Sequence, residues 1–371
     1  MTLARRTRAV RGALFGVSLT LVAAAWACGS FGGDANPTDD ADSGAADVDV
    51  ADAIDAIDAI DAGAGKKARR NTLGSSLLGG AKWSGGVLGP DGKIYGIPYS
   101  SPDVLIIDPV AGTATRSDMG AGAGVLAGGA KWSGGVLGPD GKIYGIPYSS
   151  SDVLIIDPER GTAVRTSMTS APDVLNGNSK WYGGVLGPDD KIYGIPQGST
   201  DILILDPDAG TVTRSDMDAG PLGGSARKWQ GGALGVDGRI YAVPHDSVDF
   251  LIIDPAAGVA WRESLKTDDL SGPWKWRNVV TGPGTTALLG ANLAGDDKWT
   301  GGVVGTDGLI YAIPLSAPDI LIVDPASGTA TRSTLGASEL VGNEKWSGGV
   351  RAPDGKIYGI PFDSQDILII E

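Results

Sequence analysis

The sequence predicts an all-β chain whose folded part is a β-propeller of six four-stranded blades. Three observations predict it. A block that opens K-W-x-G-G and runs through I-Y-x-[IV]-P to D-x-L-I recurs six times, with its tryptophans at Trp83, Trp132, Trp181, Trp229, Trp299 and Trp346. Their spacings are 49, 49, 48, 70 and 47 residues, a period close to one blade. Each block carries four short strand signals, and the last one stops after its third, while a spare fourth stands ahead of the first block.

The chain divides into three parts: residues 1–27, 28–65 and 66–371. Arg5, Arg6, Arg8 and Arg11 form a basic start, and Ala13 to Ala27 is an uncharged, mostly apolar run of 15 residues. A membrane helix needs about 20 residues, so this length suits a secretory signal. Cys28, the only cysteine, follows Ala25-Trp26-Ala27 directly and is expected to be lipidated as the mature N-terminus. Ordinary cleavage that leaves a stray thiol is the alternative. A single cysteine excludes an internal disulfide. Residues 29–65 hold ten Asp, no Glu and no Trp or Tyr, and they include A-D-A-I-D-A-I-D-A-I-D-A. This composition predicts an acidic, disordered tether. It contains no Gly-bearing calcium loop of the EF-hand kind.

In the first copy, residues 83–89 (W-S-G-G-V-L-G) form strand A, and Pro90-Asp91-Gly92 makes a tight turn. Residues 93–98 (K-I-Y-G-I-P) form strand B, and residues 104–108 (V-L-I-I-D) form strand C. A second turn leads to strand D, residues 113–117. Strand C is apolar on successive residues, so both of its faces should be buried, as in a sheet sandwiched between neighbours. The Gly-Gly pair suits an innermost strand crowded at an axis. Residues 68–74 (A-R-R-N-T-L-G) match residues 330–336 (A-T-R-S-T-L-G), a strand D and its exit. The N-terminal segment should therefore complete blade six and leave no open edge. The 70-residue interval holds G-P-W-K-W-R-N-V-V-T-G-P-G, an echo of strand A without strands B and C. It reads as an elaborated loop, with a stunted seventh blade as the alternative.

The string G-P-D-G-x-I-Y … V-L-I-I-D-P-x-x-G-T-x-T resembles the bacterial propeller superfamily that includes the YVTN, virginiamycin-lyase and gluconolactonase-like repeats. The full K-W-x-G-G-V-L-G-P-D-G-K-I-Y-G-I-P string is similar to a kelch-like group of propellers. The resemblance covers residues 68–371. The lyase likeness implies a His-centred acid–base site, for which His245 is the one histidine present. The lactonase likeness implies a metal-binding Glu, Asn and Asp set inside the channel, which does not match residue by residue.

Charge narrows the function classes. The whole chain is −14; without the four signal arginines it carries 26 basic and 44 acidic residues, hence −18. Phosphate contact needs a basic face, so nucleic acid is excluded as a partner. One histidine and one cysteine argue against a zinc centre, and no Ser-His-Asp set is supported. No cofactor is expected.

Candidate sites fall on the face opened by the D–A and B–C loops. Each blade places a Lys before its Trp (Lys82, Lys131, Lys180, Lys228, Lys298, Lys345) and an Asp in its B–C loop (Asp103, Asp152, Asp201, Asp249, Asp319, Asp366). They form either a charged ring at the channel mouth or six Lys–Asp pairs between blades, with each Asp also bonding backbone. The tryptophans read as wedges between blades rather than sugar platforms. The residue after the strand-B proline varies: Tyr99, Tyr148, Gln197, His245, Leu315 and Phe362. The insert adds Trp274, Trp276 and Arg277, residue types common at binding hot spots. The ligand-binding candidates are thus His245, Trp274, Trp276 and Arg277, with Lys228 and Lys298 flanking the same stretch. These features predict a monomeric binding or scaffold module, lipid-anchored at the bacterial outer membrane, that takes a protein or glycan on this face. A secreted or periplasmic location, a multivalent lectin, and a lyase or lactonase are the alternatives.

Overall fold

The computed structural model describes residues 66–168, 173–220, 222–223, 227–247, 249–264, 280–282, 285–287, 298–325, 329–337 and 340–371. Signal, Cys28 and tether lie outside these residues. Six antiparallel four-stranded sheets form a propeller ring. Blade one is strand A (Trp83–Leu88), B (Ile94–Pro98), C (Val104–Asp108) and D (Thr113–Ser117), paired in that order. Blades two to five repeat this order at residues 132–166, 181–215, 229–264 and 299–333.

Blade six takes its A, B and C strands from Trp346–Arg351, Ile357–Pro361 and Ile367–Ile370, and its D strand from Ala68–Asn71. Ala68 pairs with Ile370 and Asn71 with Ile367. Arg70 bonds Asp366 at 2.8 Å and lies 5.7 Å from the Trp346 ring centre. The closing strand thus supplies the arginine that strand D supplies elsewhere.

Burial follows the strand order. Strand B is buried throughout in blade one, as is most of strand C, whereas strand D alternates between exposed and buried. Five apolar clusters sit at blade junctions; one joins Tyr95, Ile97 and Val104 of blade one to Trp132, Ile143 and Leu154 of blade two. In the A–B turn the Tyr95 hydroxyl donates to Asp91 at 2.8 Å. Burial and then this bond push the phenol up. Leu73, Met119, Met168, Met217 and Leu335 hold φ near +50° in the D–A loops. Each offers its carbonyl to the next strand D, as in Ala163 N–H to Met119 O at 2.9 Å and Ala68 N–H to Leu335 O at 2.9 Å.

The junction of blades four and five differs. Among the described residues its apolar cluster is the pair Ala233 and Val243. Trp299 is half-buried, whereas Trp83, Trp132, Trp181, Trp229 and Trp346 are fully buried. A two-stranded sheet of Val280–Gly282 and Thr285–Ala287 comes from the insert, and its first strand lies against strands A of both blades. The insert therefore carries regular structure at the level of the inner strands, on top of six complete blades.

Candidate functional site

The repeated Lys, Trp and Asp residues build the junctions rather than a charged ring. Lys131 Nζ donates to the carbonyls of Gly128, Tyr99 and Ser101 at 2.6, 3.0 and 3.1 Å. Among the described residues these lysines bond carbonyls, and the expected Lys–Asp pairs do not form. An ammonium has three donors, and three converging carbonyls fill them all once it leaves water. The Asp instead meets the strand-D arginine of its own blade: Asp103 with Arg116 at 2.9 Å, and Asp152 with Arg165 at 2.8 Å. Each Trp lies between these two cations, with Lys131 Nζ 5.6 Å and Arg165 Cζ 5.4 Å from the Trp132 centre. Its indole N–H donates to the Asp152 carbonyl at 2.7 Å. Burial lowers Lys82, Lys131, Lys180, Lys228 and Lys345 to about 8. Five of the six tryptophans are fully buried, as wedges between blades should be, and offer no platform to a sugar.

The chemistry of this face lies one layer further in, around the axis. A cavity of about 270 Å³ opens there. Its wall includes Tyr99, Tyr148, Gln197, Leu315 and Phe362, five of the six variable residues that follow the strand-B proline. Its deeper layer includes Ser84, Tyr182, Gln230 and Ser347, which follow the tryptophans. Ser84 Oγ lies 2.9 Å from Ser133 Oγ and 3.4 Å from Ser347 Oγ, so small hydroxyls link across three blades. Ala81, Arg227 and Glu344 complete the lining. Beneath lies a channel of about 220 Å³ walled by the Gly-Gly pair of every strand A.

The wall is not symmetric. An aromatic arc runs over blades six, one, two and three: Phe362 to Tyr99 at 5.4 Å, Tyr99 to Tyr148 at 5.5 Å, and Tyr148 to Tyr182 at 6.2 Å. Burial, then the neighbouring Tyr148 and Tyr182, push the Tyr99 phenol up, so it stays neutral. Where the arc ends stand Gln197 and Gln230, 2% and 1% exposed. The amide oxygen of each is buried without a hydrogen-bond partner among the described residues. Such a group costs about 1–3 kcal/mol while unsatisfied, so these two acceptors mark where a donor belongs.

The residues singled out from the sequence fare unequally. His245 is fully buried, with Nδ1 2.8 Å from Asp246 Oδ1 and its N–H on the Lys228 carbonyl at 2.8 Å. It stands at the position that lines the cavity in the other blades, yet the described cavity wall does not include it. Lys228 is buried, with Nζ on the Gln197 and Ser199 carbonyls at 2.8 and 2.9 Å. Lys298 is half-buried, 5.8 Å from the Trp299 ring centre. Trp274, Trp276 and Arg277 lie outside the described residues. Among those residues no group of three His, Cys, Asp or Glu is placed to hold a metal ion. Sequence reasoning missed Tyr182 and Gln230. Their signal was the x of K-W-x-G-G, which reads Ser, Ser, Tyr, Gln, Thr and Ser between constant neighbours.

No family model matches the sequence, and no curated protein matches it. Solved structures do resemble it in shape. A catalytically inactive virginiamycin B lyase from Staphylococcus aureus, with quinupristin, is 13% identical with a TM-score of 0.60, over 82% of this chain and 99% of that one. An auxiliary nutrient binding protein from Bacteroides ovatus is 14% identical with a TM-score of 0.50, over 79% and 69%. An extracellular domain from Bacteroides thetaiotaomicron is 10% identical with a TM-score of 0.55, over 82% and 39%. At these identities the likeness shows the propeller fold and not an activity.

Proposed function

We propose that this chain is a lipid-anchored cell-envelope protein whose propeller binds one small ligand in the axial cavity. The observation that carries this reading is the pair of buried, unpartnered amide oxygens on Gln197 and Gln230. They break the symmetry of the ring, since each is the single glutamine at its place in the repeat. A concave site with aromatic walls and a few placed polar groups is the usual form of a small-molecule site. The basic, apolar leader that ends at Cys28 supports the anchor. The nutrient-binding and extracellular neighbours suit an envelope setting. The described chain enters the ring where Ala68 pairs with Ile370, on the face of the A–B and C–D turns.

A lyase reading draws support from the S. aureus neighbour. It would need an acid–base group in the cavity, and His245 is buried against Asp246 instead. Binding is therefore the reading preferred.

The test is a thermal-shift screen of the full chain against a small-molecule library, run beside Gln197→Met and Gln230→Met. A compound that raises the melting temperature of the parent but of neither variant supports the cavity. If every stabilising compound acts equally on all three proteins, the site is elsewhere. Cys28→Ser should move the protein from the membrane fraction to the soluble one.

A further inference from the structure

The axial cavity offers neutral hydrogen-bonding groups from blades one, two, three, four and six and no net charge. Tyr99, Tyr148 and Tyr182 bring phenols, Ser84 and Ser347 bring hydroxyls, and Gln197 and Gln230 bring amides. The charged lining residues, Arg227 and Glu344, are of opposite sign. The nearby ammonium groups are directed at carbonyls, Lys131 with three and Lys228 with two. A charged ligand would meet one lining charge of its own sign as well as one of the opposite sign, so the wall offers it no net compensation for leaving water.

Shape narrows the class further. The arc from Phe362 to Tyr182 presents ring surfaces tilted 48° to 83° to one another, a curved wall rather than a slot for one flat ring. Aromatic faces carry partial negative charge and attract C–H groups directed at them. The two amide oxygens accept, so the ligand must donate. A flat aromatic ligand would cover the wall but leave most of the perimeter hydroxyls and amides without partners. A ring with C–H groups on its faces and hydroxyls around its edge meets both demands.

We infer that the axial cavity binds a neutral saccharide, one sugar residue per propeller, with a ring face against the Tyr99–Tyr148–Tyr182 arc and its hydroxyls donating to Gln197 and Gln230. This inference rests on the axial cavity being the binding site. It differs from a six-fold lectin because one axis holds one ligand, so stoichiometry separates the two.

The experiment is calorimetric titration of the full chain. The probes are methyl β-glucoside, N-acetylglucosamine and short neutral gluco-oligosaccharides, with glucosamine, glucuronate and a cyclic depsipeptide as contrasts. A neutral saccharide should bind at one site per chain, and Gln230→Met and Tyr182→Ala should each weaken it by about tenfold or more. Gln197→Met is a second amide variant in case either of these fails to fold, which the melting temperature reports. Six sites per chain, or saccharide binding that all the folded variants retain, overturns the inference. If a charged probe or the depsipeptide binds instead and is lost on Gln230→Met, the cavity stands and the saccharide is wrong. If no probe binds, both the saccharide and the axial site fall.

Discussion

Replacing Gly134 with alanine tests how closely the blades meet at the axis. Gly134 lies in strand A of blade two with φ +73°, and an added Cβ would stand 3.0 Å from Gly183 Cα and 3.5 Å from its nitrogen. Two costs follow. A left-handed conformation costs a non-glycine residue about 1–2 kcal/mol. The contact falls on the backbone of a packed strand, so blades two and three must part by a few tenths of an ångström, at about 1–3 kcal/mol. Gly112 separates the two terms: it has φ +64° in a C–D turn, and nothing lies within 4 Å of the added carbon. Gly112→Ala should show the conformational cost alone. Both variants lose the same unfolded-state freedom of glycine, so that contribution cancels. The difference between them, about 1–3 kcal/mol, is the interblade contact. Parallel guanidinium and thermal unfolding of the full-length proteins measure it. Equal losses, or a milder effect at Gly134, would show that the axial glycines do not touch. The width assigned to the cavity floor would then be wrong.

Two further perturbations have outcomes fixed by the geometry. Removing residues 66–74 takes away the strand D of blade six, with the Arg70–Asp366 pair and the bonds of Lys67 to Glu371, of Ala68 to Leu335 and of Leu73 to Ala114. It should cost about 3–5 kcal/mol and promote association through the bared Ile367–Ile370 edge, whereas removing 29–65 should leave melting nearly unchanged; similar melting of the two refutes ring closure. The stability–pH profile follows from two sets of groups. The buried lysines hold their protons to about 8 rather than 10.5, so between these values the unfolded chain binds more protons and stability rises with pH. Tyr95, Tyr144, Tyr193, Tyr311 and Tyr358 are pushed up from 10.0, chiefly by burial and then by the Asp bond, so above that pH the folded chain keeps protons the unfolded one loses, and stability falls. Melting temperature should therefore peak at about pH 10; a steady fall from pH 8 upward would contradict the lysine burial.

Much of the fold was legible because the repeat states its own punctuation six times. The P-D-G turn, the doubly apolar strand C and the spare A-R-R-N segment each have one structural meaning. The partner choices were not legible. Lys131 and Asp152 stand on the expected face, but only three dimensions show that carbonyls of two blades converge on the ammonium while Arg165 reaches the carboxylate. The cavity was half legible. The variation from Tyr99 to Phe362 was visible, yet the depth of Tyr182 and Gln230 depends on how six strands converge. His245 drew attention as the single histidine, and its burial beside Asp246 is not visible in its own repeat.

The closing strand sets the repeat and the blade out of step. Along the gene a unit reads D–A–B–C, whereas in space a blade reads A–B–C–D, so every unit is shared between two sheets. Blades one and two, which differ only at Pro102 against Ser151 over 28 residues from the Lys, are close enough to recombine. Gain or loss of one whole unit by such an exchange would leave no sheet short of a strand. Copy number can then drift while the seal between Ala68–Asn71 and Ile367–Ile370 is kept, and the axial cavity widens or narrows by one blade's share of the wall at a time.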